Sequence, residues 1–168
     1  MTAAIIRPAR PGDEAGIARV HVESWREAYT GRIPASLLER MDIARYTERW
    51  GEILAGHHAS VEPTGRTWVA ARDEEIIGFA TSGPCRDPDR RRDDLELYAI
   101  YLRAAHYGSG TGSALLEAAL GDRPATLWVL EDNPRAQAFY AKHGFAFDGA
   151  LRQDARWGDV LHEVRMAR

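Results

Sequence analysis

The chain has 168 residues, a length that suits one domain with a sizeable core. Its 22 lysines and arginines face 25 aspartates and glutamates, a formal net charge of -3, so neither nucleic acid nor an anionic membrane is expected as the main partner. A single cysteine, Cys85, excludes an intramolecular disulfide and a cysteine metal site. No apolar run approaches the roughly 20 residues of a membrane span, and no signal peptide is recognisable, so we expect a cytoplasmic protein.

The N-terminal third predicts a short strand over residues 3–7, followed by helices. Asp13 can cap the first of these helices, and Gly31 stands where it would end. Asp42 can cap the third, and Gly56 stands where that one would end. Apolar residues recur at helical spacing between these positions. The helices are predicted over residues 13–31, 34–41 and 42–56.

The pattern changes to that of strands after residue 66. Residues 67–72 and 76–82 predict an antiparallel hairpin, and the polar segment 84–93 predicts a mobile loop. Residues 95–102 are nearly all apolar and rich in strand formers, which predicts a buried central strand.

A glycine-rich turn follows this strand and leads into a helix over residues 113–120. Gly108, Gly110 and Gly112 alternate with Ser109 and Thr111, so side chains are nearly absent. A turn of this kind at a helix N-terminus presents free backbone N–H groups and the positive end of the helix dipole to one point, which suits phosphate. The alternative is a loop that needs only flexibility.

The C-terminal third continues with a strand over 125–130, a helix, and two last strands over 145–148 and 160–166. Asn133 can cap the helix, and Pro134 fits its first position. The strands on either side of the glycine-turn helix should be parallel neighbours, because this connection requires a crossover. The order of elements predicts an α+β fold with one mixed, mostly antiparallel sheet of about seven strands.

Two generic phosphate motifs do not fit the glycine turn. A P-loop requires a lysine directly after its last glycine, and none follows Gly112. A dinucleotide fingerprint requires G-x-G-x-x-G, but Leu115 and Ser113 occupy the positions of the third glycine. That fold would also continue through more strand-helix units than the remaining chain can supply.

Three stretches in succession, LYAIYL, YGSGTG and LWVLEDNPRAQAFYAKHGF, resemble successive motifs of the GNAT N-acetyltransferase superfamily. The resemblance implies helices on both faces of the sheet, a splayed pair of central parallel strands, and acetyl-CoA as cosubstrate without a metal. Backbone groups of strand 95–102 would hold the pantetheine arm, and the amides of the glycine turn would hold the pyrophosphate. The cofactor-binding residues that it implies are Tyr101, Leu102, Arg103, Tyr107, Gly108, Ser109, Gly110, Thr111, Gly112, Ser113 and Asn133.

Two residues depart from the pattern of the family. Tyr107 stands where glutamine or arginine is usual, and Ser109 stands where a basic residue is frequent, so a cation near the phosphates is missing. We expect weakened or rearranged cofactor binding, with Arg103 or the arginines at 86–92 compensating.

The resemblance places Tyr140 beside the thioester sulfur, where it would be the general acid; the alternative is an aromatic core residue next to Phe139. Glu96 is predicted to be the general base, because a carboxylate in an apolar strand requires a partner or solvent and so should face a wet cleft. The alternative for Glu96 is a salt-bridged or edge-facing glutamate. Glu131 and Asp132 are the reserve candidates.

The acceptor pocket is predicted along the N-terminal helices, with Trp25, Tyr29 and Ile33 as its wall; core packing is the alternative for Trp25. His21 is interpreted as a structural histidine. No histidine or carboxylate cluster indicates a metal. Slight acidity near the cleft favours a cationic small molecule with a primary amine.

The acceptor itself stays open among polyamines, amino-sugar drugs, amino acids and protein N-termini. A homodimer is expected from the habit of the family. The alternative to an enzyme is a non-catalytic module that senses acetyl-CoA.

Overall fold

The structure is a computed structural model that describes residues 3–59, 65–91, 93–155 and 160–168, and of residues 57–59 the backbone only. The helices and strands follow in the order β1 Ile5–Pro8, α1 Glu14–Tyr29, α2 Ala35–Glu39, α3 Ile43–Ala59, β2 Arg66–Arg72, β3 Glu75–Pro84, β4 Leu95–Leu102, α4 Thr111–Leu120, β5 Ala125–Leu130, α5 Pro134–Lys142, β6 Ala146–Asp154 and β7 Leu161–Ala167. A turn of 3₁₀ helix, Ala104–His106, separates β4 from the glycine-rich turn.

The strands form one seven-stranded sheet in the order β1-β2-β3-β4-β5-β7-β6. Every neighbouring pair is antiparallel except β4 and β5, which are parallel. The predicted α+β fold with a mixed, mostly antiparallel sheet is therefore confirmed. The parallel pair lies at the centre of the sheet, and α4 connects its two strands.

Helices cover both faces of the sheet. Consecutive strand residues point to opposite faces, so neighbouring residues of one strand pack against different helices. Phe79 and Ala80 are neighbours in β3 and both are fully buried. Phe79 packs into a core with residues of α1, α2 and α3, whereas Ala80 packs into a second core with residues of α4 and α5. The sheet thus separates the three N-terminal helices from the two later ones.

The central parallel strands separate after a short contact. The register of β4 and β5 pairs only Leu95, Glu96 and Leu97 with Ala125, Thr126 and Leu127. Beyond Leu97 the two strands diverge, although β4 continues to Leu102 and stays paired with β3. This confirms the splayed pair.

The helix ends test the predicted caps. Asp42 accepts a hydrogen bond of 2.9 Å from the Arg45 amide and caps α3, as predicted. Asp13 precedes α1, but its carboxylate makes no cap bond; it accepts hydrogen bonds from Arg7 at 2.6 and 2.9 Å instead. The predicted end of the third helix at Gly56 is wrong, since α3 continues to Ala59.

The loop between β3 and β4 is anchored, contrary to the predicted mobility. Arg165 of β7 is 6% exposed in its side chain and forms ion pairs with Asp87 at 3.1 Å and Asp89 at 2.6 Å in this loop. A third ion pair of 2.7 Å joins Arg165 to Asp148 of β6. Asp87 and Asp89, two of the acidic residues in this polar segment, are thus bound to a buried cation.

No helix in the described ranges combines the length and the apolar character needed to cross a membrane.

Candidate active site

A cavity of about 770 Å³ lies between the N-terminal helices, the diverging central strands and the first turns of α4 and α5. Its wall brings together most of the residues that the sequence singled out. These are Trp25, Tyr29, Glu96, Tyr101, Leu102, Tyr107, Gly108, Gly110, Gly112, Ser113, Asn133 and Tyr140.

Four predicted site residues do not line this cavity. Ser109 and Thr111 belong to the glycine turn but not to the cavity wall, and Ile33 and Arg103 are placed elsewhere. Ile33 is 8% exposed and packs in the hydrophobic core beside the N-terminal helices, because the chain after α1 turns inward there. Arg103 binds the carboxylates of Glu23 and Glu27 on α1, and its backbone N–H donates to the Ile77 carbonyl at 3.0 Å. The guanidinium of Arg103 is therefore bound to carboxylates away from the cavity. Contrary to expectation, it does not supply a cation near the glycine turn.

The glycine turn combines left-handed backbone with the start of a helix. Gly108 has a φ of 74° and Gly110 a φ of 84°, both in the left-handed region that side chains disfavour. The turn leads directly into α4, whose first turn contains no acidic residue. The hydroxyls of Ser109 and Thr111 lie 2.8 Å apart and bond to each other, so the polar side chains of the turn are satisfied within it.

Asn133 joins the two ends of the cavity. Its side-chain oxygen accepts a hydrogen bond of 3.2 Å from the Ala136 amide and caps α5, and Pro134 holds the first helical position, as predicted. The same side chain forms a hydrogen bond with the Tyr29 hydroxyl of α1. Burial raises the pKa of Tyr29 to about 12, and the bond to Asn133 opposes that rise. Tyr29 is thus a neutral phenol that ties α1 to α5.

Tyr140 projects from α5 into the cavity wall. It is 8% exposed, and the rings of Phe139 and Phe145 lie 5.4 and 6.0 Å from its own. Burial, followed by the nearby Tyr29, raises the pKa of Tyr140 well above its ordinary value. The phenol is protonated at neutral pH, so it can act as a proton donor.

Glu96 is partnered rather than solvated. The residue is 1% exposed, and its Oε2 accepts from the Arg86 amide at 3.0 Å and from Arg86 Nε at 3.1 Å. Arg86 Nη2 donates to Oε1 at 2.6 Å. The predicted wet surroundings are therefore corrected: the salt-bridged alternative describes this carboxylate, which still forms part of the cavity wall.

Aromatic rings form the floor of the cavity beside the N-terminal helices. The His21 ring stacks on Tyr101 with a centroid distance of 5.1 Å, and its Nδ1 accepts from the Trp50 indole at 3.3 Å. Burial, followed by the charge of Arg49, lowers the pKa of His21 to about 3. His21 is thus neutral and satisfied, in keeping with a structural role. The Trp25 ring lies edge-on to the Tyr101 ring with a centroid distance of 6.2 Å, and Trp25 belongs both to the core and to the wall.

The charge along the cavity differs from the expected slight acidity. The described charged residues of its wall are five basic ones, Arg49, Arg86, Arg135, Lys142 and Arg152, and three acidic ones, Glu96, Asp154 and Glu163. Carboxylates such as those of Asp13, Glu23 and Asp93 are held in ion pairs outside the cavity.

Two contacts in the wall were missed from the sequence. The Arg135 guanidinium lies 4.0 Å above the centre of the Tyr107 ring. His143 Nδ1 lies 2.8 Å from the Phe139 carbonyl and its Nε2 3.0 Å from the Ser113 hydroxyl. The carbonyl can only accept, so Nδ1 carries a proton. The Arg135–Tyr107 and His143–Ser113 contacts join residues far apart in the chain, so no spacing rule could have found them.

No group of three or more histidine, cysteine, aspartate or glutamate side chains is arranged to hold a metal ion in the described part of the chain.

The fold and the cavity define an acyltransferase domain. Residues 19–145 match the acetyltransferase (GNAT) family, and the chain belongs to that family. Among curated proteins, it is 32% identical over 149 residues to a probable N-acetyltransferase, Rv2775, of Mycobacterium tuberculosis, covering 86% of this chain and 80% of that protein. An uncharacterized N-acetyltransferase of Bacillus subtilis, YuaI, is 32% identical over 136 residues, 77% of this chain and 73% of that protein.

Solved structures share the fold over the whole length. The PaiA N-acetyltransferase of Thermoplasma acidophilum, crystallised in complex with coenzyme A, superposes with a TM-score of 0.75 over 99% of both chains at 20% identity. An N-acetyltransferase of Staphylococcus aureus superposes with a TM-score of 0.72 at 18% identity, covering 99% of this chain and 98% of that one. At this identity the likeness concerns the fold alone.

Proposed function

We propose that this protein transfers the acetyl group of acetyl-CoA to a primary amine of a small molecule, by direct attack in a ternary complex. The observation that carries the proposal is one continuous cavity that runs from the glycine turn, past the diverging central strands, to Tyr140 and Glu96. The GNAT relative crystallised with coenzyme A supports the choice of cosubstrate.

The glycine turn would hold the pyrophosphate through the amides of Gly108, Gly110 and Gly112 and the N-terminus of α4. The amides of Ser109 and Thr111 already donate, at 3.4 Å each, to the His106 carbonyl and the Ser109 hydroxyl. The pantetheine arm would lie along the part of β4 beyond Leu97, where the strand faces the gap to β5. Tyr101 and Leu102 belong to this part. The cosubstrate would thus enter the sheet at its widest point, and its thioester would lie near Tyr140.

Tyr140 would donate the proton that the leaving group needs. The amine nitrogen forms a bond to the carbonyl carbon, the carbon–sulfur bond breaks, and the departing thiolate takes the phenol proton. Because burial keeps Tyr140 protonated, the proton is available at neutral pH. Holding the two reactants close together would lower the barrier further, by up to about 7–11 kcal/mol in well-oriented cases.

Glu96 would accept the amine proton through a water. A carboxylate offers about four lone-pair directions, and the Arg86 amide, Nε and Nη2 use three of them. The remaining direction belongs to Oε1. One water bound there and facing the cavity is enough for the role, and Arg86 then fixes the orientation of the base.

The proposal is tested by CoA release, followed with a thiol reagent, over a panel of polyamines, amino sugars, amino acids and peptides. Tyr140→Phe should lower kcat by about 10²–10⁴-fold while CoA affinity changes little, since the ring is kept. Tyr98→Phe is the matched control, because the Tyr98 hydroxyl donates to the Pro84 carbonyl and takes no part in the proposed transfer. Coenzyme A binding without turnover over the whole panel would show a sensor instead.

A further inference from the structure

A stacked pair, Tyr107 and Arg135, lies at the end of the cavity where the glycine turn begins. Arg135 Cζ is 4.0 Å from the centre of the Tyr107 ring, a distance at which a guanidinium is attracted to an aromatic face. Both side chains line the cavity together with Gly108 and Gly110. Tyr107 is 42% exposed, so the stack rather than the core fixes the position of its ring.

The Arg135 guanidinium carries no ion pair to a carboxylate within the described part of the chain. By contrast, the described arginines of the segment 86–92, which we expected near the phosphates, each form an ion pair with a carboxylate. Arg86 binds Glu96, Arg90 binds Asp148 and Arg91 binds Asp93, while Arg92 lies outside the described residues. Arg135 therefore has its full charge available at the glycine turn.

The position of Arg135 in α5 is electrostatically unfavourable for the protein alone. It is the second residue of the helix, where the positive end of the helix dipole disfavours a cation. The first turns of α4 and α5 contain no acidic residue, so no carboxylate there offsets the charge. Positive potential thus accumulates at this end of the cavity, as an anionic ligand would require.

We propose that Arg135, held by its stack on Tyr107, is the side-chain cation that binds the pyrophosphate of acetyl-CoA. The inference rests on the proposed function. The turn from Tyr107 to Gly112 has no basic side chain, so its amides supply hydrogen bonds without a full charge. Arg135 supplies that charge from the neighbouring helix, and Tyr107 sets the direction in which its planar fork faces the phosphates.

The test measures the Kd of coenzyme A by calorimetry. Arg135→Gln should weaken binding about 10- to 100-fold, the range of one charge-assisted hydrogen bond. Dephospho-CoA keeps the pyrophosphate but lacks the ribose 3′-phosphate. The substitution should weaken its binding by the same factor. Pantetheine, which lacks all phosphates, should bind equally to both proteins. Arg19→Gln is the matched control, since Arg19 is exposed on α1 and away from this cavity.

Variants of Tyr107 separate the ring from the charge. Tyr107→Phe should bind coenzyme A like the wild type, and Tyr107→Leu should lose about 2- to 5-fold, because the stack contributes a cation–π attraction. Tyr107→Arg in the Arg135→Gln background should recover most of the lost affinity, by placing a guanidinium on the turn itself.

Wild-type affinity in Arg135→Gln would overturn the inference and leave the proposed function intact. Loss for coenzyme A but not for dephospho-CoA would also overturn it, since the 3′-phosphate would then be the partner. A wild-type protein that binds no coenzyme A would refute the proposed function itself. Thermal unfolding of each variant checks that the fold is kept.

Discussion

Replacing Arg165 by leucine should destabilise the protein through the carboxylates that the arginine holds. The Arg165 side chain is 6% exposed, and its partners Asp87 and Asp148 are 11% and 17% exposed, whereas Asp89 is 59% exposed. Removing one member of a buried ion pair costs about 3–5 kcal/mol. Asp89 can regain its hydration, and Asp148 keeps its 2.7 Å ion pair with Arg90. The expected loss is therefore at the lower end, about 3 kcal/mol, or about 6–12 °C in Tm for a chain of this size.

The loss should depend on pH, and its sign follows from Asp148. Burial acts to raise the pKa of Asp148, but hydrogen bonds from the Ala150 amide, Arg90 and Arg165 hold it below its usual value. A lowered folded pKa stabilises the protein above the unfolded value of about 3.9 and ceases to do so as the pH falls through the folded value. The advantage of the wild type over Arg165→Leu should thus be full at pH 7 and should shrink below about pH 4.

Urea unfolding followed by tryptophan fluorescence at pH 7 and pH 3.5 measures both effects. Arg66→Leu is the matched control, because Arg66 also lies in a strand but is exposed. A difference under about 1 kcal/mol at pH 7, or an equal difference at both pH values, would refute the reasoning from buried charge.

Three other changes have expected outcomes. Glu96→Gln should lower kcat by about 10²–10⁴-fold in the CoA-release assay with little change in CoA affinity, whereas an unchanged rate would exclude the role of base. Tyr29→Phe removes the hydroxyl that binds Asn133, so we expect coenzyme A to bind about fivefold more weakly in calorimetry, and equal affinity would argue against coupling between these side chains. Glu74→Gly should raise the free energy of unfolding by about 1 kcal/mol, because Asp73 and Glu74 have φ values of 48° and 68° in the hairpin turn; a destabilised variant in urea would contradict this.

The sequence predicted the strands in which every side chain is buried or half-buried. The bounds of β4 and β5 agree with their predictions, because apolar runs between polar segments mark such strands clearly. The strand β6 was predicted only over 145–148 but extends to Asp154, since it is an edge strand with Phe147 and Leu151 exposed and no regular alternation.

The parts of the candidate site that depend on contacts between distant side chains could not be predicted from the sequence. The glycine turn and Asn133 are local patterns, and the structure places them on one cavity. The partner of Glu96 is Arg86, whose position depends on how the loop after β3 folds back over β4. Pairing of charges across loops is decided by tertiary contacts, and the expected slight acidity near the cleft was wrong for this reason.

The short contact between β4 and β5 has a mechanical consequence. Seven residue pairs join β4 to β3 and five join β5 to β7, but only three join the two halves of the sheet to each other. This seam is the place where the sheet has the fewest backbone bonds to break, so the two halves can move apart or together with little loss of hydrogen bonding. A molecule that bridges the seam would couple them, and the cooperativity of unfolding should rise with it.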